Sequence, residues 1–97
     1  MTKADIINEV SKETGFTKVE VELMFDSIIN SIKISLSKGE RIDMRGFGSF
    51  IVKKRNARKT RNPATNQILN LDTRYVPVFK VSKILKEYVN NNILNNY

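Results

Sequence analysis

Between Lys53 and Arg61 the chain reads KKRNARKTR, six cations in nine residues with no acid among them. Side chains at that density attract a polyanion, and three lysines with three arginines suit phosphate contact without giving grounds for base readout. A solvated face that only aids solubility is the plainer reading, and charge alone leaves both open. Asn62-Pro63 follows as a turn signal, and the chain then resumes with Ile68, Leu69 and Leu71, the outline of an extended hairpin with little to bury on either side. Other chemistries lack their parts. There is no cysteine for a disulfide or a thiolate metal site and no histidine to act as a general base. The basic middle offers only Asp43 and Asp72 as carboxylates, and the acids of residues 5–26 fall at helical surface positions, so a metal-dependent hydrolase or nuclease has no site. Neither an enzyme, a metal, a cofactor nor a small-molecule substrate is expected.

The net charge of +7 is unevenly spread. Residues 1–40 carry five basic and seven acidic side chains, residues 41–83 eleven and two, and residues 84–97 one and one. Ninety-seven residues make one small domain, and a projecting hairpin withdraws roughly a quarter of them from the core, so burial against a second copy is an economical route to stability. No apolar run approaches a membrane span, and MTKADIINEV lacks the basic-then-apolar order of a signal peptide, which points to a soluble cytoplasmic protein without a membrane partner.

The elements that must position the basic run are legible from periodicity. Thr2 with Asp5 caps a first helix whose apolar residues are Ile6, Ile7 and Val10, and Gly15 stops it. Thr17 with Glu20 forms a second capping box, with Phe16 and Val21 at the staple positions. From there Val21, Phe25, Ile28, Ile32 and Leu36 recur at helical spacing, widened by Met24 and Ile29, until Lys38-Gly39. After Gly39 the period becomes two through Ile42 and Met44, Gly46-Phe47-Gly48 turns tightly, and Ser49 to Lys54 runs extended into the basic stretch. The return strand spans about Gln67 to Lys80, with Pro77 marking an edge or bulge position. Ser82 caps a short last helix that buries Ile84, Leu85, Tyr88 and Val89, and NNNILNNY reads as a frayed, flexible tail.

Strand alternation puts Lys53, Arg55, Lys59 and Arg61 on one side of the rising arm, interrupted by Ala57, with Lys54 and Arg58 on the other. Both sides are cationic, which suits a ribbon lying between phosphates. Pro63 has two readings from its local chemistry: a turn former completed by Asn62 and Asn66, or a rigid apolar ring held at an arm tip among cations.

GFGSF at 46–50, the spacing of Arg55, Arg58, Arg61, Asn62 and Pro63, and VPVFK at 76–80 together resemble the bacterial histone-like HU and integration host factor family, with elements in matching order from about Met1 to Asn90. Minor-groove architectural proteins, HU and integration host factor among them, insert apolar wedges between base steps, and the wedge role for Pro63 comes from that resemblance. The resemblance implies an α+β fold: an N-terminal helical hairpin, a three-stranded antiparallel sheet with a long β-arm at about 54–74, a short C-terminal helix and an intertwined dimer. It implies double-stranded DNA as partner, with Pro63 intercalating, Arg61 and Asn62 in the groove beside it, and Lys53, Arg55, Arg58, Lys59 and Arg74 following the backbone. Lys3, Lys80, Lys83 and Lys86 would line the body under bent DNA, and Phe47, Phe50 and Phe79 would form the dimer core, which is also their ordinary role as aromatics in a small domain.

Thr60, Asn66 and Ser82 stand where the family often has glycine; Asn66 tolerates positive φ and Ser82 can cap a helix. The domain is expected over 1–90, with 91–97 outside it. The function expected is an architectural, nucleoid-associated protein that binds the minor groove and bends or compacts DNA with little sequence specificity. The alternatives are a site-specific bending factor like integration host factor and, from another class, a basic RNA-binding protein, disfavoured by the deep, narrow groove of A-form RNA. Homodimer and heterodimer with a paralogue both remain open.

Overall fold

The structure, a computed structural model, describes residues 1–96. Two compact units divide the chain, Met1–Ser35 and the residues from Leu36 onward.

The first unit holds α1 (Lys3–Thr14) and most of α2 (Lys18–Ser37). Both helices start where their capping boxes lie. Thr2 Oγ1 accepts from the Asp5 backbone N–H while the Asp5 carboxylate accepts from Thr2 N–H at 2.8 Å. Thr17 and Glu20 repeat the exchange at 3.2 and 3.4 Å. Gly15 ends α1 in the left-handed conformation, φ 81°, and its N–H returns to the Ser11 carbonyl. Ile7 and Val21 are buried, at 7% and 5% exposure, whereas Ile28, expected on the apolar stripe of α2, is 58% exposed.

The second unit begins with the end of α2 and contains two antiparallel sheets. In the first, β1 (Ile42–Met44), β2 (Gly48–Arg55) and β5 (Arg74–Val81) lie in the order β1-β2-β5, with Ile42 opposite Phe50 and Phe50 opposite Phe79. Pro77 lies on β5, an edge strand, where its missing N–H is tolerated. Gly46, φ 83°, turns the chain between β1 and β2. Gly48 is required for a different reason: a Cβ there would sit 2.5 Å from both the Lys80 carbonyl oxygen and Phe79 Cζ. The space a side chain would need is occupied by the Phe79 ring, whose centroid is 5.2 Å from Phe47 and 4.9 Å from Phe50.

The second sheet is a ribbon of β3 (Arg58–Arg61) and β4 (Ile68–Leu71). Here the structure departs from the expected continuous arm. The return strand is two strands, and Asp72-Thr73 stands unpaired across from Asn56-Ala57. Instead of ladder bonds, the Ala57 N–H donates to Thr73 Oγ1 at 3.2 Å. A hydroxyl that offers the backbone an alternative partner interrupts pairing at that point, a competition that strand periodicity does not reveal.

The last helix also departs from expectation. α3 (Lys83–Asn95) is capped by Ser82, whose Oγ accepts from Leu85 N–H at 3.0 Å, and it takes in residues 91–95 of the stretch 91–97 expected as a flexible tail, of which Tyr97 lies outside the described residues. Ile93 and Leu94 extend its apolar content, and the Asn92 amide donates to the Tyr88 carbonyl one turn back at 2.7 Å. Nor does this chain bury the helix. Ile84 and Tyr88 are 65% and 66% exposed.

Candidate nucleic-acid interface

The three-stranded sheet has two chemically different faces, because successive residues of a strand point to opposite sides. Phe50, Phe79, Ile42, Met44, Val52 and Pro77 share one face by register. Lys53, Arg55, Arg74 and Lys80 share the other with Ile51, Val76 and Val78, while Lys54 pairs with Tyr75 on the aromatic side. Arg55 lies directly opposite Arg74. Like charges so placed repel and destabilise a sheet. Among the described residues, ion pairs involve Lys3, Arg41 and Lys83, and every cation from Lys53 to Arg74 is without an acidic partner. At the arm break Lys54, Arg55, Arg58 and Arg74 line an open concavity of about 600 Å³.

In the ribbon, Lys59 and Arg61 share one face with Ile68 and Asn70, and Arg58 and Thr60 share the other with Leu69 and Leu71. Arg58 thus opposes Lys59 and Arg61, as alternation predicts. The single face expected to run from Lys53 to Arg61 is instead divided between two sheets, since the ladder stops at Arg55 and restarts at Arg58.

The tip is organised by Asn62. Its N–H donates to the Gln67 carbonyl at 2.8 Å, its carbonyl accepts from Asn66 N–H at 2.7 Å, and its side-chain Oδ1 accepts from Ala64 N–H at 2.9 Å. Asn66 adopts φ 59°, the left-handed conformation that asparagine tolerates. Pro63, exposed, is therefore held between a residue bonded three ways and a closed loop. These bonds give Asn62 a positioning role that the sequence pattern had only outlined.

The remaining candidates belong to other elements. In the first unit Lys3 Nζ is 2.8 Å from Asp26 and 3.7 Å from Glu22, and 5.7 Å from the Phe25 ring centroid. The hydrogen bond to Asp26, with both acids' charges, raises its pKa above 10.5. That pairing neutralises much of the positive potential Lys3 would offer a phosphate. Lys83 is exposed with Glu87 3.9 Å away, and Lys86 is exposed on α3.

One acid on the cationic face, Asp43, entered the reading of the sequence only as a carboxylate too isolated to hold a metal. Asp43 shares a cross-strand row with Ser49 and Lys80, and its Oδ1 accepts from Ser49 Oγ at 2.6 Å and from Arg41 Nε at 2.8 Å. The Ser49 hydroxyl first, and then the Arg41 guanidinium, hold its pKa below 3.8. The Arg41-x-Asp43 spacing, which sets the guanidinium just before β1 on the side of Asp43, was the available signal.

A family profile described as bacterial DNA-binding protein matches residues 1–90. The chain belongs to that family. It is 45% identical over 89 residues to DNA-binding protein HU of Thermotoga maritima, covering 92% of this chain and 99% of the relative, and 43% identical to DNA-binding protein HU of Staphylococcus aureus over the same shares. Among solved structures, an Anabaena HU–DNA cocrystal structure superimposes with a TM-score of 0.84 at 30% identity, covering 92% of this chain and 97% of that one. The HU-family fold of helices, antiparallel sheet and arm is the one described above, and among the described residues no helix is long and apolar enough to cross a membrane.

Proposed function

We propose that this chain is an architectural DNA-binding protein of the HU kind, a dimer whose two β-arms enter the minor groove and bend the duplex without catalysing a reaction. The observation that carries the reading is a row of cations without acidic partners, from Lys53 through Arg74, leading to a loop that presents Pro63 to solvent. The similarity to a protein crystallised with DNA supports the choice of partner.

Lys53, Arg55, Arg74 and Lys80 contact phosphate from the sheet face; Arg58, Lys59 and Arg61 do so from both faces of the ribbon. Asn62 fixes the loop beside the groove, and Pro63 enters a base step, as the prolines and other apolar wedges of minor-groove architectural proteins such as HU do. Lys83 and Lys86 take the flanking duplex, with a smaller share for Lys3 because Asp26 and Glu22 already hold it. Phe47, Phe50 and Phe79 meet the partner subunit. The DNA-binding unit comprises residues 1–90, with the arm at about 54–74, and it acts on the nucleoid in the cytoplasm. Binding is largely indifferent to sequence, because phosphate contacts carry no sequence information and a wedge at a flexible step tolerates many sequences.

The deciding experiment is the end-to-end distance of a short labelled duplex, read by energy transfer at saturating protein. Pro63→Ala keeps every arm cation but removes the ring, so it is expected to lose bend and the preference for nicked duplexes while retaining most of the association. A bend equal to that of the unaltered protein would sink the wedge assignment; equal loss of affinity for straight and nicked DNA would make Pro63 a turn former.

A further inference from the structure

α3 continues five residues beyond the stretch that the family profile matches, from residue 90 to Asn95. The Thermotoga and Staphylococcus relatives are almost wholly covered by 89 aligned residues, so the added turn belongs to this chain and not to those proteins. Its placement is informative. Leu85, Val89 and Ile93 stand four residues apart on one helical face and, with Val81 of β5, line an open trough of about 640 Å³. Val81, Val89 and Ile93 are 42%, 46% and 52% exposed in this chain.

We infer that the extra turn lengthens the subunit interface, with Ile93 continuing the Val81–Leu85–Val89 stripe against a second copy of the chain. This rests on the dimer reading above, and three observations select that occupant. The stripe is continuous with β5, whose Phe79 belongs to the aromatic cluster left uncovered, at 39% exposure for Phe79 and 48% for Phe47. Ile7 and Val21 alone are buried among the described apolar residues, so most of the apolar surface this chain needs to cover can be covered only by another chain. Finally, residues 89–97 contain no Lys, Arg, Asp or Glu, so the Ile93 end of the trough is uncharged, while Lys86 and Glu87 line it nearer the start of α3.

The test uses the full chain and follows association by sedimentation equilibrium across nanomolar to micromolar concentration. Ile93→Asp is expected to raise the subunit dissociation constant by at least about tenfold, since a symmetric interface loses the buried side chain twice. Ile93→Leu should associate as the unaltered protein does. Leu94→Asp, one position round the helix and outside the trough, should leave the constant within about threefold. Helix content by circular dichroism, measured where each variant is dimeric, should match the unaltered protein. Equal weakening by Ile93→Asp and Leu94→Asp would mean a general loss of helix and overturn the placement. Unchanged association in Ile93→Asp would overturn it as well, as would a variant that dimerises normally but binds duplex DNA less tightly, which would assign the surface to DNA. An unaltered protein that stays monomeric throughout would instead defeat the dimer reading itself.

Discussion

At the scale of single residues the interface is a contest between like charges held close and the few groups that temper them. Asp43 is one such group. Its carboxylate lies in the same row as Lys80 and adds negative charge to the face proposed to contact phosphate. Asp43→Asn is expected to strengthen association with random-sequence duplex and to lower thermal stability, because the bonds from Ser49 and Arg41 favour the ionised form. The pH dependence has a definite sign. A carboxyl whose folded pKa is depressed stabilises the fold above its unfolded value of 3.8 and loses that contribution as pH falls through the folded value. The gap in melting temperature between the two proteins should therefore be full at neutral pH and close below pH 3.8. A gap that persisted in strong acid would show that the amide disturbs packing instead. Asn62→Ala removes the side-chain oxygen that Ala64 N–H donates to, and should reduce bending in the energy-transfer measurement while leaving the salt dependence of binding unchanged.

At the scale of elements, the sheet carries the Arg55–Arg74 opposition and the ribbon carries Arg58. Neutralising phosphates releases counterions, so with roughly 6 to 10 contacts per dimer the slope of log affinity against log salt should lie near −5 to −9. Arg58→Ala should flatten it by about one unit in fluorescence titrations over a range of salt. The capping boxes at Thr2 and Thr17 and the glycine stops at Gly15 and Gly39 were legible in the sequence because helix ends are local chemistry, settled within four residues. The break at Asn56-Ala57 was not, since it depends on Thr73 reaching across from sixteen residues away. Gly48 shows the same limit. Its position in a turn motif was visible, but the reason nothing larger fits is the Phe79 ring, far along the chain. Gly48→Ala is accordingly expected to destabilise the protein by about 1–3 kcal/mol in urea unfolding, the usual range for overpacking. The extent of α3 was misjudged because an asparagine-rich segment has weak intrinsic helix preference, whereas Ile93 and Leu94 favour continuation.

At the scale of the whole molecule, the apolar residues that periodicity selected as core, among them Ile28, Ile84 and Tyr88, are exposed in a single chain. Periodicity identifies a face that must be buried and is silent about which chain buries it. Melting temperature should therefore rise with protein concentration, and a calorimetric scan insensitive to concentration would contradict a folded unit built from two copies.

Among the described residues Ile7 and Val21 are the two apolar side chains this chain buries by itself, and that shortage reaches into the cell. A newly made chain that has not met another has little to keep it closed, so proteases see it as they see an unfolded segment. Doubling synthesis more than doubles the rate of pairing, and paired chains escape. Accumulation should therefore follow a threshold: below some rate of translation the protein is cleared nearly as fast as it is made, and above it the pool persists, so the gene's output is filtered before any DNA is touched.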